Sequence, residues 1–287
     1  MGESNEQVKH GNYHNYYKFR AEDSIRSDIL QQHLAALWRS CEPPAGPIHL
    51  LDVGCNSGQF TAKVRQILLQ VSKGTPAVCA VGLDIDQELC DRGSAEYPDI
   101  EFISGNLLEI SNRQEVKPID DPVERCMKAR NIDQFDVICC FSVLMYVHLN
   151  GGDAGLRRVL DYLCSKGKFL IIELQSWQKY RDQVRRLKRD AGETYPLYTG
   201  LQWRGNGGAL EACIKSYVQS NDGTEVCGKN FDNIGTAARG TERRLAGWLA
   251  GPHAERHGKD KSFVGMGGLE RVGGNGGAWT VTVIEFE

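Results

Sequence analysis

The sequence predicts an α/β fold built on a mostly parallel, doubly wound sheet with helices on both faces. Five short apolar runs without strict alternation are typical of parallel strands that are buried on both sides. Helical patterns separate these runs, and such an alternation is typical of right-handed crossovers within one sheet. The predicted strands are 48–54, 77–86, 100–106, 135–143 and 168–174, and the predicted helices are 23–39, 59–72, 87–96, 153–165 and 177–190.

The composition is that of a folded domain with little net charge. The 287 residues are enough for one sizeable domain, and the formal charge of −3 means that a polyanion would need a local basic patch. Ten cysteines without zinc-site spacing predict free thiols in a reducing compartment and no metal. The N-terminus has no apolar signal segment and no run of about 18 apolar residues occurs, so we expect a cytoplasmic or nuclear protein that does not bind membranes.

The composition changes after residue 230, which predicts two parts of unequal order. We expect residues 1–230 to form the folded domain. Residues 231–287 are rich in glycine and show no sustained helical pattern, which is typical of loop or disorder. One run in this tail, 278–286 (AWTVTVIEF), predicts an edge strand.

The turn after the first strand has the features of a cofactor-binding turn. It reads DVGCNSG over 52–58, with Gly54 and Gly58 four residues apart and a predicted helix directly after it. Such a turn presents backbone N–H groups to an anionic ligand. The spacing D-x-G-x-x-x-G differs from the dinucleotide pattern G-x-G-x-x-G and resembles motif I of the class I (Rossmann-like) S-adenosylmethionine-dependent methyltransferases. Asp84, which ends the second strand, is placed to accept hydrogen bonds from a ribose.

Asn56 occupies the position where a nucleotide-binding turn commonly has its middle glycine. Asparagine tolerates the left-handed backbone conformation better than other non-glycine residues, so the turn can still form. Its side chain is interpreted in two ways: as a contact to the amino acid end of the cofactor, or as a cap of its own turn.

Three further segments resemble the bicoid-interacting-protein-3, or methylphosphate-capping, family of RNA methyltransferases. They are NYHNYYKFR (12–20), FSVLMYVHLNGGDAGL (141–156) and IIELQSWQKYR (171–181). The resemblance implies S-adenosylmethionine as methyl donor and the 5′-terminal phosphate of a small RNA, such as a precursor microRNA or a tRNA, as acceptor. The pattern W-x-x-Y-R-x-x-x-R-R-L over 177–187 is most similar to members that act on a 5′-monophosphate. We also expect a monomer.

The resemblance also implies a set of cofactor-binding residues. They are Arg26, Gly54, Asn56, Gly58, Asp84, Asn106, Leu107 and Phe141. The chain departs from the family at Asn106-Leu107, where members have Asp-Phe, and at Leu174 and Ser176, which replace both prolines of E-P-Q-P-W. The loop after the fifth strand is therefore expected to be less rigid. The family's closing strand is missing, and either the run 278–286 substitutes for it or the tail is aberrant.

The predicted chemistry needs no catalytic base, since a phosphate monoester is already an anion near pH 7. His148 and Asn150, after the fourth strand, are predicted to donate hydrogen bonds to the phosphate, with a buried structural role as the alternative for His148. Arginine side chains in the basic stretch 179–190 suit phosphate oxygens. The predicted phosphate or RNA ligands are Arg181 and Arg185, with Tyr13, Tyr16, Tyr17 and Arg20 forming a second, stacking side.

Three other functions remain open at the level of the sequence. A related enzyme could methylate the γ-phosphate of a 5′-triphosphate. The altered motif at Leu174 and Ser176 would also suit an inactive module that binds RNA ends. A nicotinamide-dependent oxidoreductase is least favoured because the glycine spacing differs from the dinucleotide pattern.

Overall fold

The described part of the chain is an α/β fold with a seven-stranded sheet. The computed structural model describes residues 5–11, 13–19, 24–39, 46–72, 77–112, 120–205, 209–219, 270–272 and 279–285. The strands are β1 (Ile48–Val53), β2 (Val78–Asp84), β3 (Ile100–Ser104), β4 (Phe135–Phe141), β5 (Gly167–Leu174), β6 (Glu270–Val272) and β7 (Trp279–Glu285). The α-helices are α1 (Asn5–His10), α2 (Tyr16–Phe19), α3 (Ser24–Arg39), α4 (Gln59–Val71), α5 (Gln87–Glu96), α6 (Leu107–Ile110), α7 (Pro122–Arg130), α8 (Leu144–Lys166), α9 (Trp177–Ala191) and α10 (Ala209–Gln219).

The strand order confirms the predicted mostly parallel, doubly wound sheet. The order is β3-β2-β1-β4-β5-β7-β6, and every neighbouring pair is parallel except β6 and β7. The chain order reverses at β1, which lies between β2 and β4. In open sheets of this kind a ligand crevice forms beyond the carboxyl ends of the strands at this reversal.

Alternate residues of each strand face opposite sides of the sheet, and each side has its own core. Leu51 and Val53 of β1 pack with the side formed by α6 to α10, whereas Ile48 and Leu50 pack with α3 and α4. Burial on both sides explains why these strands are continuously apolar. The sheet that supports the carboxyl ends of the strands is therefore packed on both faces.

Side-chain caps determine where several helices begin. Asp86 accepts hydrogen bonds from the first-turn N–H groups of α5, Asn106 does so for α6 and Asp121 for α7. These bonds satisfy backbone donors that have no partner inside the helix. Helix α7 was not among the predicted elements, although Asp121 followed by Pro122 is a recognised helix start.

The tail contributes a strand next to β5. Strand β7 runs parallel to β5, with register pairs from Phe169 and Thr280 to Leu174 and Glu285. It lies within the run 278–286 that the sequence predicted as an edge strand, and β6 pairs with its other side. Most of the rest of 231–287 lies outside the described residues, so its predicted disorder stays a prediction.

Three further features of the described residues concern cysteines, metal sites and membrane-spanning helices. Six of the eight cysteines among them are buried. No cluster of side chains in the described ranges is suited to hold a metal ion. None of the helices in those ranges is both long and apolar enough to span a bilayer.

Candidate active site

A cavity opens at the carboxyl ends of β1, β2 and β4, where the strand order reverses. This is the position expected for a ligand in an open α/β sheet. Most residues predicted from the sequence to bind the cofactor are brought together there. The residues predicted to bind cofactor or RNA that line the cavity are Tyr13, Tyr16, Tyr17, Arg26, Gly54, Asn56, Asp84, Asn106, Leu107 and Phe141.

The turn between β1 and α4 depends on left-handed backbone conformations. Gly54 has a φ of 72° and Asn56 a φ of 53°. A Cβ on Gly54 would lie 2.9 Å from Val143 Cγ2, so both the conformation and the space favour glycine at this position. The N–H groups of Gly54 and Cys55 both donate to Leu83 O, at 2.7 and 3.1 Å, and bind the turn to the end of β2.

The side chain of Asn56 caps its own turn and holds the N-terminal segment. Its Oδ1 accepts a hydrogen bond from Ser57 N at 2.8 Å, and its Nδ2 donates to Tyr13 O at 3.1 Å. Its backbone N–H donates to Asp84 Oδ2 at 2.8 Å. The amide therefore fits the second interpretation of this residue, although Asn56 also lines the cavity.

Two buried carboxylates lie side by side at this edge. Burial raises the pKa of Asp52 to about 7, although a hydrogen bond that Thr61 donates at 2.5 Å opposes the change. Burial likewise raises the pKa of Asp84 to about 6, against the N–H donors of Asp86 and Asn56. Asp84 thus presents a carboxylate with preformed backbone contacts at the position predicted for a ribose acceptor.

One end of the cavity carries a buried ion pair. Arg26 Nη2 lies 2.6 Å from Glu173 Oε2, and the guanidinium carbon lies 4.0 Å from the ring centroid of Phe60 and 5.0 Å from that of Phe141. Ser142 Oγ also donates to Glu173 Oε2. Glu173 was not predicted as a site residue, although it is the acidic residue of the segment that resembles E-P-Q-P-W.

Another part of the cavity lining is apolar and has a polar side chain beside it. Leu107 is 7% exposed and lines the cavity, and Ile85 adds an exposed apolar side chain. Asn106 Oδ1 accepts from Leu108 N at 3.0 Å and caps α6, while its Nδ2 donates to Glu109. A carbonyl oxygen has two lone pairs, so Asn106 can cap this helix and still accept a second bond.

The N-terminal strap, defined here as residues 5–11 and 13–19, covers one side of the cavity. His14 Nε2 lies 2.7 Å from Asp86 Oδ2, and Phe60 N donates to Tyr17 Oη at 3.2 Å. Burial raises the pKa of Tyr17 above its ordinary value, so this hydroxyl stays neutral. The strap is therefore attached to the starts of both α4 and α5.

Tyr13 connects the strap to the other side of the cavity. Its hydroxyl lies 3.3 Å from Tyr146 Oη and donates to Gln183 Oε1 at 3.2 Å. Gln183 Nε2 in turn donates to Val8 O at 2.6 Å and Tyr195 Oη at 3.0 Å. None of these partners was predicted as a site residue, because they lie far apart in the sequence.

His148 and Asn150, predicted to contact the phosphate, do not line the cavity. His148 is fully buried, with Nδ1 3.2 Å from Tyr180 Oη and Nε2 2.9 Å from Asp153 Oδ1. Asn150 Nδ2 donates to Tyr146 O at 2.8 Å and Lys9 O at 3.3 Å. His148 thus occupies the structural role that the sequence left as an alternative, since both ring nitrogens already have partners.

The other predicted residues are placed as follows. Gly58 begins α4 with a φ of 84°, and a Cβ there would lie 2.3 Å from Phe102, so this glycine serves packing and lies outside the cavity lining. Arg181 and Arg185 are exposed on α9 and do not line the cavity either. Arg20 lies outside the described residues.

The cavity fits S-adenosylmethionine, which joins a ribose and an adenine to a zwitterionic amino acid. Asp84 is an acceptor for the ribose, Leu107 offers apolar surface to the base, and Arg26 offers a guanidinium to the carboxylate. Gln175 Oε1 is a buried acceptor at the cavity for which the described residues supply no hydrogen-bond donor. Unsatisfied buried acceptors are costly, so a donor from a ligand would stabilise this one.

Comparison with protein families agrees with this fit. A methyltransferase-domain model matches residues 51–169, which include the turn, Asp84 and the first five strands up to Phe169 of β5. Fold and site together define a class I methyltransferase whose methyl donor is S-adenosylmethionine.

More specific relatives are found over most of the chain. The family model of Bicoid-interacting protein 3 matches residues 135–248. A pre-miRNA 5′-monophosphate methyltransferase of Xenopus laevis is 31% identical over 203 residues, covering 69% of this chain and 78% of that protein. A U6 snRNA methylphosphate capping enzyme of Drosophila melanogaster is 30% identical over 217 residues, covering 68% and 61%. The chain belongs to the Bicoid-interacting protein 3 family.

Proposed function

We propose that the chain transfers a methyl group from S-adenosylmethionine to the 5′-terminal phosphate of RNA. The preferred acceptor is a 5′-monophosphate end such as that of a pre-miRNA. The observation that carries this proposal is the convergence of Asp84, Asn106 and Arg26 on one cavity in a chain that is 31% identical to a pre-miRNA 5′-monophosphate methyltransferase.

The reaction requires positioning of the two reactants more than acid or base catalysis. Bound S-adenosylmethionine supplies a methyl group on a positively charged sulfur. A terminal phosphate has a second pKa of about 6, so its oxygen is anionic near neutral pH and needs no base. The engagement of both ring nitrogens of His148 is compatible with this chemistry. The chain's own residues hold the reactants and exclude water, and such positioning can account for much of a rate enhancement.

The test is methyl transfer to one hairpin RNA prepared with three different ends. Labelled S-adenosylmethionine is incubated with the hairpin carrying a 5′-hydroxyl, a 5′-monophosphate or a 5′-triphosphate. Label on the monophosphate alone is the expected result. The Asp84→Ala variant serves as a control that keeps the RNA surface and loses the ribose acceptor. Absence of label from all three RNAs, with folded protein that binds S-adenosylmethionine, would contradict the proposal.

A second acceptor is favoured by one comparison. The Drosophila melanogaster relative is a U6 snRNA methylphosphate capping enzyme. Label on the triphosphate RNA in the same experiment would assign this chain to γ-phosphate methylation instead. We further propose that the enzyme acts as a monomer in the cytoplasm or nucleus, and both points can be checked by light scattering and by imaging of the tagged chain.

A further inference from the structure

Arg186 of α9 contacts Tyr13, a residue that lines the cavity. Its guanidinium carbon lies 4.3 Å from the ring centroid of Tyr13, and Tyr13 lines the cavity. The Tyr13 hydroxyl is held by Gln183 and lies beside the hydroxyl of Tyr146, another lining residue. Arg186 therefore rests on an aromatic ring whose own position is fixed, and such stacking suits a guanidinium.

The arginines predicted from the sequence point elsewhere. Successive residues of an α-helix are about 100° apart, so Arg181 and Arg185 both lie about 160° around α9 from Gln183, whereas Arg186 lies about 60° from it. Gln183 bonds the strap and is buried, which identifies the helix face that is turned toward the strap. The Arg185 side chain is 68% exposed and that of Arg186 is 33% exposed.

The described lining of the cavity carries little positive charge for a phosphate to meet. Arg26 is the only lysine or arginine among the described residues that line it, and Glu173 neutralises Arg26 at 2.6 Å. Asp52 and Asp84 add carboxyl groups to the same lining. A phosphate at this mouth would face the carboxyl groups of the lining, and a cation at the rim would offset their charge. Arg186 meets Asp190 at 3.5 Å in a partly exposed pair of the weak kind, which a phosphate can replace.

We propose that Arg186 binds the 5′-terminal phosphate of the RNA, with Tyr13 as the platform that orients its guanidinium. The proposal rests on the proposed function, because it names the phosphate contact of that same site. A guanidinium forms two parallel hydrogen bonds to phosphate oxygens, which a lysine ammonium cannot reproduce.

The test compares Arg186→Gln with Arg185→Gln, a neighbouring variant with a similar ion pair to Asp182 at 3.4 Å. Binding of one hairpin RNA with a 5′-monophosphate and with a 5′-hydroxyl is measured by fluorescence anisotropy at fixed salt. We expect the wild type to prefer the phosphorylated end. Arg186→Gln should reduce that preference at least about 10-fold and leave the affinity for the 5′-hydroxyl RNA within about twofold, consistent with loss of a charge-assisted contact. Arg185→Gln should leave the preference intact.

A conservative variant and a cofactor titration complete the test. Arg186→Lys retains the charge and is expected to recover part of the preference, and titration with S-adenosylmethionine should give wild-type affinity for all three variants. A folded Arg186→Gln variant that keeps the full preference would overturn the inference, while methyl transfer by the wild type would leave the proposed function in place. If the wild type shows neither phosphate preference nor methyl transfer, both the inference and the proposed function fail.

Discussion

The two sides of the cavity are built in different ways. The sheet edge, here residues 52–58, 83–86 and 105–107, consists of turns that follow consecutive strands and bond to one another through backbone groups. The N-terminal strap is held by contacts to several elements that are distant in the sequence, as in the bond between Tyr13 and Gln183 of α9, 170 residues apart. The sheet edge contains buried carboxyl groups, whereas this strap contact joins neutral groups. The two sides should therefore respond differently to pH and to mutation. Changes at the sheet edge should alter cofactor binding, and changes at the strap should alter RNA binding.

The largest expected effect concerns the buried carboxyl group of Asp52. Its pKa of about 7 in the folded chain exceeds the ordinary value of 3.8. The folded state therefore holds this proton more tightly, and stability that is present below about pH 4 is lost as the pH rises through about 7. The difference corresponds to about 4 kcal/mol as an upper limit. Without cofactor, Asp52→Asn should thus be more stable relative to wild type at pH 8 than at pH 5.

Denaturant unfolding at several pH values measures this difference. Asparagine can still accept the hydrogen bond from Thr61, so the substitution removes the charge and keeps the contact. Asp91→Asn, at an exposed position of α5, controls for a general change in net charge. Parallel stability curves for wild type and Asp52→Asn would show that the sheet edge is not pH-sensitive through this group.

Asp84→Ala should give the next largest effect, a loss of affinity for S-adenosylmethionine of about 100-fold. The carboxylate accepts from Asn56 N at 2.8 Å and Asp86 N at 3.0 Å, so its removal loosens the turn as well as the ribose acceptor. Hydrogen bonds to charged groups contribute about 1.5–3 kcal/mol each. Calorimetric titration measures the loss, with Asp91→Ala as the matched variant. If Asp84→Ala binds S-adenosylmethionine with wild-type affinity, Asp84 does not contribute to cofactor binding.

His148→Gln tests the support beneath the strap side, where His148 of α8 meets Tyr180 of α9. We expect about 2 kcal/mol of lost stability, because Asp153 and the buried Tyr180 hydroxyl each lose a partner. The remaining folded enzyme should keep its kcat. Tyr180→Phe removes one of the same bonds and should behave alike. A kcat that falls by orders of magnitude in a stable His148→Gln protein would restore the catalytic role predicted from the sequence.

These contrasts explain which parts of the site the sequence could predict. Gly54, Asn56 and Asp84 lie in turns whose spacing is set within a few dozen residues, so local pattern and strand order place them together.

The flank of α9 that faces the strap could not be predicted in the same way. It depends on how the helix lies against the strap, and that is determined by contacts such as the one between Tyr13 and Gln183. The prediction of Arg181 and Arg185 used helical phase, the chemistry of arginine and the position after the fifth strand, and none of these shows how the helix meets the strap. The same limit applies to His148, whose partner Tyr180 lies 32 residues away on another helix.

The smallest predicted effect tests the strap side directly. Tyr13→Ala removes the ring that lines the cavity but keeps the backbone carbonyl to which Asn56 Nδ2 donates at 3.1 Å. Stacking of a base on an aromatic ring contributes about 1–3 kcal/mol, so the KM for 5′-phosphorylated RNA should rise about 10-fold. The affinity for S-adenosylmethionine should stay within about twofold, since the sheet edge is unchanged. Steady-state methyl transfer and cofactor titration separate the two quantities. A cofactor affinity that falls as much as the RNA affinity would mean that strap and sheet edge act as one binding surface.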